Sequence, residues 1–486
     1  MPKKSGKKKK FYITTSIAYV NARPHIGYAL EVIQADVIAR YMRSGGYEVF
    51  FSTGTDEHGD KVNRIARESG KTAKQFVDEI AASFKSLRKA LNLSTDDFIR
   101  TSDKRKHWPG ALKLWAELEK NGDIYKKEYE GLYCVGCEKF LTEKDLVDGE
   151  CPLHKKPPER VSEENYFFRL SRYAREVEVA IVSGIIKILP EERKNEVLAF
   201  VREGLEDVSF SRSNKSVPWG IPIPNSDQTM YVWCDGLSNY LSAVGYGRNA
   251  RNFNKWWPAD MHLVGKDIIR FHAIYWPAML MSAKLSLPKS VMVHGFVTVD
   301  GQKMSKTLGN VIDPFEAVKK YGSDPLRYYL LREIPSDDDG DFSWSKLKNR
   351  YNNDLAKGIG NFVSRVANLV KGEKLAVGSS VSKEVRDEIR RMKARVEKHI
   401  SEFHLHDALA AIFDLIKFGD GYINETEPWK NPGLKISRDL AELAVEIGKA
   451  LTPFMPETAE KILKAFPVRA GYIIPKKIKP LFPRAE

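Results

Sequence analysis

The chain has 486 residues, too many for one ordinary hydrophobic core, so a single small module is excluded and two to four packed units are expected. Hydrophobic residues make up 42% and charged residues 29%, and no apolar run approaches the roughly 20 residues that a membrane-spanning helix needs. The net charge of +14 suits a polyanionic partner such as nucleic acid, although it would serve solubility equally well. We therefore expect a soluble protein without a membrane partner.

A run of lysines dominates the first ten residues. Six of the positive charges lie at Lys3, Lys4 and Lys7 to Lys10, so part of the net charge belongs to a tail. We expect residues 1–10 to be a disordered basic arm, with nucleic-acid contact as the alternative. The tail has neither the apolar core of a secretory signal nor the arginines of an organelle-import sequence, which predicts a cytoplasmic protein.

Alternating strands and helices are predicted in two parts of the chain. Phe11–Ile17 is rich in aromatic and β-branched residues and predicts a buried strand, and a helix should begin at His25 and end at Gly45. Glu48–Thr53 then predicts a second strand, which makes a βαβ unit with parallel strands. The same alternation returns in a strand at His262–Gly265, a helix at Ile268–Ser282 and a strand at Val291–Val299. We therefore predict two halves of one doubly wound, Rossmann-type parallel sheet.

The residues between these halves carry a cluster of cysteines with metal-ligand spacing. Cys134-x2-Cys137 and Cys151-x2-His154 form two knuckle-like pairs, a spacing typical of a closed tetrahedral zinc site. Free thiols that cluster by chance are the alternative, but His154 supplies a fourth ligand at the right offset. Four protein ligands leave no open position for water, so one structural zinc ion is predicted.

Beyond about Trp344 the strand signals end and amphipathic helices follow. Apolar residues recur there at helical spacing, as at Leu355, Ile359, Phe362 and Val366, and predict an all-α helical bundle. The predicted fold class is therefore α/β, with a split doubly wound parallel sheet and a zinc-knuckle insertion, followed by an all-α bundle.

Two segments offer groups that could bind phosphate. Pro24–Tyr28 lies at the start of the predicted helix, where backbone N–H groups and the helix dipole favour an anion, Gly27 permits close approach and His25 can donate a hydrogen bond. Lys303 and Lys306 lie on a glycine-flanked loop after the last predicted strand and could close over a triphosphate. Taken singly, the first segment could equally be an ordinary helix cap, and the second could equally be a solvated loop. Their positions at opposite ends of a split sheet make the pair far more specific.

These two segments resemble the HIGH and KMSKS signatures of the class I aminoacyl-tRNA synthetases, and the resemblance spans nearly the whole chain. Tyr28 stands where the first signature has its second histidine, and Thr307 stands where the second signature has its final serine. Further segments resemble the methionyl members of the family, namely Tyr12–Tyr19, Ser52–Gly59, Tyr231–Tyr240 and Val264–Leu280.

The resemblance implies the methionine–tRNA ligase reaction. ATP would activate L-methionine to methionyl-adenylate with release of pyrophosphate, and the methionyl group would pass to tRNA(Met), including the initiator, with release of AMP. Mg²⁺ would bridge the phosphates. The implied catalytic residues are His25, Tyr28, Lys303 and Lys306, and the implied ATP-binding residues are His25, Gly27, Gly265, Asp267, Lys303 and Lys306.

A methionine pocket needs apolar and aromatic walls and at most a weak donor to the thioether sulfur. Asp56 would pair with the substrate ammonium group, and Gly236 stands where alanine is usual. Taken singly, core packing explains the aromatic residues as well, but their joint match favours a pocket. The wall residues that the resemblance implies are Ile17, Tyr19, Trp233, Leu237, Tyr240, Ile268 and His272.

Three residues of the helical part resemble the anticodon-reading positions of methionyl enzymes. Asn361 and Arg365 share a helix face at i and i+4, and Trp429 follows Pro428. Amide, guanidinium and aromatic groups hydrogen-bond to and stack on unpaired RNA bases, although each alone could be an ordinary surface residue. The resemblance thus implies recognition of a CAU anticodon.

The domain organisation follows from these assignments. A monomer is expected, because the chain shows no C-terminal extension of the kind with which some relatives dimerise. The predicted segments are residues 1–10 for the basic tail, 11–113 for the first half of the catalytic domain, 114–226 for the connective insertion, 227–300 for the second half, 301–343 for the KMSKS loop and stem-contact region, and 344–486 for the anticodon-binding domain.

Other functions stay open from the sequence alone. A class I synthetase for leucine, isoleucine or valine shares both signatures but carries a much larger editing domain. A small-molecule nucleotidyltransferase of the HIGH type would not need the zinc insertion or the long helical part. A non-enzymatic tRNA-binding relative would not need to keep Asp56, Lys303 and Lys306.

Overall fold

The computed structural model describes residues 8–484, apart from residues 138, 142, 215–216, 305–308 and 378–380. The chain divides into two compact units. The first unit comprises Met1–Pro24, Tyr47–Ser86 and Thr95–Val293, and the second comprises His25–Gly46, Leu87–Ser94 and His294–Glu486. The helix that follows the first strand in sequence therefore belongs to the second unit.

The strands, in chain order, are β1 Lys10–Tyr19, β2 Glu48–Asp56, β3 Asp97–Arg100, β4 Ile124–Cys134, β5 Lys139–Leu141, β6 Glu159–Phe168, β7 Lys187–Leu189, β8 Val208–Ser209, β9 Ser211–Ser213, β10 Gln228–Met230, β11 Met261–Gly265, β12 Ser290–His294, β13 Val297–Val299, β14 Gln302–Lys303, β15 Gly340–Phe342, β16 Leu375–Ala376, β17 Val468–Arg469 and β18 Tyr472–Ile473. The α-helices are α1 Ile26–Ser44, α2 Asp60–Glu68, α3 Ala73–Ala90, α4 Trp108–Lys120, α5 Ala174–Val182, α6 Glu191–Arg202, α7 Val232–Leu237, α8 Asn239–Ala243, α9 Ala250–Trp256, α10 Trp276–Ser282, α11 Pro314–Tyr321, α12 Ser323–Glu333, α13 Trp344–Arg350, α14 Asn361–Leu369, α15 Lys383–Ser401, α16 Leu405–Thr426, α17 Leu434–Leu451 and α18 Pro456–Ala465. Short 3₁₀-helices span Glu143–Asp145, Leu170–Tyr173 and Lys266–Ile268, and π-helical turns span Phe271–Tyr275 and Tyr351–Gly360.

The first unit is organised around a six-stranded sheet in the order β3-β2-β1-β11-β12-β7. The central strand β1 pairs in parallel with β2 and with β11, with Phe11 opposite Val49 and Ile13 opposite Met261. The strand order runs outwards from β1 in both directions, which is the doubly wound arrangement. The predicted split Rossmann-type sheet is confirmed.

Both faces of this sheet are covered, as parallel sheets require. Successive residues of a strand point to opposite faces, and the neighbouring residues Tyr12 and Ile13 of the central strand β1 are both fully buried. The edge strand β7 comes from the segment between the two halves and pairs in parallel with β12. Part of that intervening segment therefore completes the sheet.

A second sheet in the first unit carries the cysteine cluster. It has the antiparallel order β5-β4-β6-β8. β4 and β6 form a long ribbon whose paired residues run from Ile124 with Phe168 to Tyr133 with Glu159. Because β4 ends at Cys134, the ribbon places the first cysteine at its far tip.

The second unit is mainly helical beyond Trp344, as predicted. Leu355 and Ile359 lie in the second π-helical turn, Phe362 and Val366 lie in α14, and all four side chains are fully buried. The second unit also contains α1 and two small sheets, β14-β13-β15 and β16-β18-β17. Within the described residues, no helix is both long enough and apolar enough to cross a membrane.

A buried arginine connects several elements of the second unit. Arg327 of α12 is fully buried, and its guanidinium donates to the carbonyl oxygens of Leu91, Pro453 and Phe454 at 3.1, 2.9 and 2.8 Å. It also forms an ion pair of 2.8 Å with Asp36 of α1. Burial opposes the charge of Asp36, but Arg327 and other partners keep the pKa of this carboxyl below its ordinary value.

Candidate functional site

The start of α1 places His25 and Gly27 at the N-terminus of a long helix. His25 is the N-cap residue, and its Nδ1 accepts a hydrogen bond from the backbone N–H of Gly27 at 3.1 Å. The imidazole therefore lies over the helix terminus, where the helix dipole favours an anion. A Cβ atom at position 27 would come within 3.0 Å of the imidazole, so a larger residue would crowd the ring. Tyr28 follows in the same turn and is half-buried.

The lysine-bearing loop begins beside this helix terminus. Lys303 is exposed at the end of β14, with its ammonium group 5.7 Å from the centre of the Phe296 ring. The methyl group of Met304 lies 3.5 Å from the position that a Cβ atom at Gly27 would take. The start of the loop therefore approaches the first turn of α1. Lys306 lies outside the described residues.

Two predicted ATP-binding residues lie at the carboxyl end of β11 in the first unit. Gly265 is the last residue of the strand and is buried, whereas Asp267 lies in the following 3₁₀-helix and is exposed. Ligands of doubly wound sheets bind outside the carboxyl ends of the strands. The position of both residues is therefore compatible with contact to a nucleotide.

Tyr240 and His272 form a buried hydrogen-bonded pair in the first unit. The Tyr240 hydroxyl lies 2.7 Å from His272 Nε2, and His272 Nδ1 lies 2.9 Å from the carbonyl oxygen of Ile268. Because a carbonyl oxygen can only accept, Nδ1 donates to Ile268 and Nε2 accepts from the tyrosine. Burial lowers the pKa of His272 to about 4, so the imidazole is neutral at neutral pH. The pair offers a polar but uncharged wall.

The other predicted wall residues belong to the same unit. Tyr19, Trp233 and Ile268 are half-buried and pack against the hydrophobic core that contains Leu237 and Tyr240. The Trp233 ring stacks on Phe271, with ring centres 3.6 Å apart and 4° between the ring planes. Ile17 is half-buried in β1.

Asp56 ends β2 as a buried carboxylate. Its Oδ1 accepts a long hydrogen bond of 3.5 Å from the Thr101 hydroxyl. Its Oδ2 lies 2.9 Å from the position that a Cβ atom at Gly236 would take. An alanine at position 236 would therefore press on the carboxylate, and the glycine leaves it room. This contact gives a physical reason for the departure from the family pattern at position 236.

The predicted zinc ligands converge at the tip of the β4–β6 ribbon. Their ligand atoms all lie within 4.8 Å of one another. Cys137 Sγ lies 3.5 Å from Cys151 Sγ, and His154 Nδ1 lies 3.8, 3.3 and 3.7 Å from the sulfur atoms of Cys134, Cys137 and Cys151. Tetrahedral zinc with Zn–S of about 2.3 Å places its ligand atoms roughly 3.5 to 3.8 Å apart. The residues therefore fit a zinc ion.

Two further contacts shape this cluster. The backbone N–H of Cys137 donates to Cys134 Sγ at 3.4 Å, so the chain turns tightly between the first two cysteines. A Cβ atom at Gly136 would lie 2.4 Å from the His154 ring, so the glycine between the first two cysteines lets the histidine approach.

The predicted anticodon residues lie on α14 and just after α16 in the second unit. Asn361 is exposed at the start of α14, and Trp429, with 54% of its surface exposed, lies just after α16. Arg365 donates to Asp420 at 3.1 Å and to Asn424 at 2.9 Å. Its guanidinium is thus held between α14 and α16.

Comparisons with known proteins match most of this chain. The family model described as class I tRNA synthetases (M) matches residues 11–161 and 144–367, and the model described as the anticodon-binding domain of tRNA ligase matches residues 382–479. The methionine–tRNA ligase of Clostridium acetobutylicum is 46% identical over 94% of this chain and 73% of the relative. The one of Brucella melitensis is 40% identical and covers 98% of both chains. The chain belongs to the class I methionyl-tRNA synthetase family.

Solved members of the methionyl-tRNA synthetase family have the same fold. The Mycobacterium tuberculosis methionyl-tRNA synthetase in complex with methionyl-adenylate matches with a TM-score of 0.92 and 36% identity, over 98% of this chain and 100% of that chain. The free form of the same synthetase matches with a TM-score of 0.85 and 33% identity, over 99% of both chains. The predicted family and fold are confirmed.

The sequence analysis missed a buried network in this synthetase fold. Asp235 accepts hydrogen bonds from His58 Nδ1 and His107 Nε2, both at 2.6 Å, and all three residues are buried. Burial opposes the charge, but the two histidines lower the pKa of Asp235 below its ordinary value. The network joins the segment that carries Asp56 to the segment that carries Tyr240. The acidic Asp235 inside the otherwise apolar segment Tyr231–Leu237 was the signal that could have indicated it.

Proposed function

We propose that this chain activates L-methionine with ATP and transfers the methionyl group to tRNA(Met) with a CAU anticodon, including the initiator. The uncharged Tyr240–His272 pair, in the same unit as the buried carboxylate of Asp56, carries this proposal. A methionine side chain needs an apolar site with at most a weak donor, and its ammonium group needs one carboxylate. Methionine–tRNA ligase is also the name of the Clostridium and Brucella relatives.

In the first step, a methionine carboxylate oxygen attacks the α-phosphorus of ATP, and the bond to the pyrophosphate oxygen breaks. Positioning and charge neutralisation carry such a step, because no proton has to move. The residues that we assign to ATP are His25, Gly27, Tyr28, Gly265, Asp267, Lys303 and Lys306, of which His25, Tyr28, Lys303 and Lys306 stabilise the charge that develops on the phosphates. Mg²⁺, when bound with ATP, would supply further charge neutralisation.

In the second step, a hydroxyl of the terminal ribose of tRNA attacks the carbonyl carbon of the adenylate, and AMP leaves. Anticodon recognition is assigned to Asn361, Arg365 and Trp429, in the helical part that matches an anticodon-binding domain. The exposed Trp429 ring can stack on an unpaired base, and Asn361 can hydrogen-bond to a base edge. We assign residues 344–486 to this role and residues 301–343 to the KMSKS loop and stem contact.

Zinc is proposed as a structural ion held by Cys134, Cys137, Cys151 and His154. Four protein ligands leave no site for water, so the ion would brace the tip of the β4–β6 ribbon without taking part in adenylation. Metal analysis of the purified protein should find about one equivalent per chain. A well-folded sample with less than about half an equivalent would contradict the assignment.

A cytoplasmic monomer is also proposed, and size-exclusion chromatography with light scattering tests the oligomeric state.

The decisive experiment is ATP–pyrophosphate exchange with each of the twenty amino acids in turn, followed by charging of tRNA. We expect methionine to stimulate exchange far more than any other amino acid. Charging should require a CAU anticodon. Exchange stimulated best by leucine or isoleucine would favour a different class I synthetase, and exchange with no amino acid would favour a non-enzymatic tRNA-binding protein.

A further inference from the structure

A second cluster of potential metal ligands lies in the helical part, where α15 ends and α16 begins. Ligand atoms of His399, His404 and Asp407 all lie within 4.8 Å of one another. His399 is in the last turn of α15, His404 caps α16, and Asp407 is in the first turn of α16. The tight connection between the two helices therefore brings together residues that face one small volume.

Two imidazoles lie near the carboxylate of Asp407, that of His399 in the cluster and that of the neighbouring His406. His399 Nδ1 lies 3.9 Å from Asp407 Oδ2, and His406 Nε2 lies 3.5 Å from the same oxygen. These distances are too long for strong hydrogen bonds, whereas a tetrahedral ion with bonds of about 2.0 to 2.1 Å spaces its ligand atoms roughly 3.3 Å apart. Small side-chain rotations would close the difference.

One nitrogen atom of the cluster and one of the neighbouring His406 lack hydrogen-bond partners in the described part of the chain. Nδ1 of His399 and Nδ1 of His406 are both buried, and neither has a hydrogen-bond partner among the residues that the structure describes. A buried polar atom without a partner costs free energy that a ligand can recover.

The charges around the cluster favour a cation. Asp337 Oδ2 lies 3.5 Å from His404 Nε2, and Glu402 Oε2 lies 3.9 Å from His404 Nδ1. Together with Asp407, these groups place three carboxylates around the imidazoles. The positive charge of Arg332 lies near His406 and offsets the charge of one of these three carboxylates.

We propose that His399, His404 and Asp407 bind a divalent transition-metal ion such as Zn²⁺, separate from the cysteine cluster. Imidazole and carboxylate are the ligands that zinc, nickel and cobalt share, and water completes the coordination. The site joins the end of α15 to the start of α16, so the ion would stiffen the hairpin of the two helices. It is distinct from the residues that we assign to methionine, ATP and the anticodon.

Cobalt titration of the full-length protein tests this site. The protein is first dialysed without added metal, so that any zinc in the cysteine cluster stays bound, and Co²⁺ is then added while the visible spectrum is recorded. We expect uptake of one equivalent with weak d–d absorption and without the intense sulfur-to-cobalt band of thiolate ligands. The absence of uptake at about 100 μM free Co²⁺ would overturn the proposal.

Substitutions then locate the site. The double variant His399→Asn with His404→Asn, and separately Asp407→Asn, should bind Co²⁺ at least tenfold more weakly. Asp387→Asn is the matched control, because it removes the same charge from α15 about 18 Å along the helix from His399, and its affinity should equal that of the parent. Affinity that stays within twofold of the parent in both test variants would mean that the cluster holds only ordinary ion pairs. Circular dichroism checks that all variants fold, as expected for partly exposed side chains.

Discussion

Tyr240 and His272 are almost fully buried and hydrogen-bond to each other, whereas Asn361 and Trp429 present their side chains to solvent. The first pair acquires its geometry when the protein folds. In the function that we propose, the second pair acquires defined partners only when RNA binds, and its side chains lose rotational freedom at that moment. The proposed pocket for one small amino acid would thus be rigid before binding, while the proposed RNA-reading surface would have to accept a large flexible partner.

Arg365 is intermediate between these two cases. It lies on the helical side with Asn361 and Trp429, yet its guanidinium is already bound by Asp420 and Asn424. Burial raises the pKa of Asp420, although Arg365 opposes this effect. An arginine that is held before RNA arrives loses less freedom on binding than a free one.

The largest expected effect concerns the buried carboxylate of Asp56. Asp56→Asn removes the proposed partner of the methionine ammonium group, and losing one member of a buried charge pair costs several kcal/mol, so methionine activation should fall on the order of 10²- to 10³-fold. ATP–pyrophosphate exchange at varied methionine concentration measures it. Charging should fall by the same factor while discrimination against a non-CAU anticodon persists. A loss below about threefold would remove Asp56 from the substrate contacts.

The second effect concerns proton binding to the buried imidazole. The folded pKa of His272 is about 4 and the ordinary value is 6.5, so the unfolded chain binds more protons between these pH values. Stability should therefore be highest above pH 6.5 and fall as the pH drops towards 4, by up to about 3 kcal/mol from this group. His272→Gln should show a shallower decline in urea unfolding of the catalytic part. Equal slopes in parent and variant would contradict the buried neutral imidazole.

The third expected effect concerns the exposed ring of Trp429. Stacking of one base on an aromatic ring contributes about 1 to 3 kcal/mol, so Trp429→Ala should lower aminoacylation efficiency roughly 5- to 150-fold while ATP–pyrophosphate exchange stays near the parent level. Tyr472→Ala, which removes another exposed aromatic ring from the same unit, is the matched control and should charge normally. If Trp429→Ala kept full discrimination against a changed anticodon, the anticodon contacts would have to be sought elsewhere.

The smallest effect compares two glycines. A Cβ atom at Gly236 would lie 2.9 Å from the Asp56 carboxylate, whereas one at Gly421 in α16 would meet nothing within 4 Å in the described part of the chain. Because the Asp56 side chain can rotate away, Gly236→Ala should raise the KM for methionine only about two- to fivefold. Gly421→Ala should leave KM unchanged and stabilise its helix by up to about 1 kcal/mol. If KM for methionine rose only in Gly421→Ala, the assignment of Gly236 to the methionine pocket would be contradicted.

The fold was predictable where periodicity and local spacing determine it. Neighbours within a few residues determine the strand at Phe11 and the helix beginning beside His25. The four candidate zinc ligands were found from two closely spaced pairs of residues. The Asp235 network was not predictable in this way, because His58 and His107 lie 177 and 128 residues away from Asp235 in the sequence. Only tertiary packing brings such groups together.

Sequence reasoning also missed two local features. The predicted helix over residues 268–282 is interrupted by a π-helical turn at Phe271–Tyr275, which periodicity alone does not reveal. The short strand Lys187–Leu189 joins the central sheet, although its three residues carry too little pattern to indicate this. The individual roles of the site residues, from His25 to Trp429, stay predictions that the experiments above address.

The buried Arg327 limits how far this protein can be shortened. Two of its acceptors, the carbonyl oxygens of Pro453 and Phe454, belong to the turn between α17 and α18, more than 400 residues after His25. A fragment that ends before this turn would lose two hydrogen bonds of this guanidinium, each worth about 1.5 to 3 kcal/mol. That cation is paired with Asp36, on the same helix that begins at His25. Engineering of a minimal adenylating fragment therefore has to keep the last helices or replace Arg327 together with Asp36.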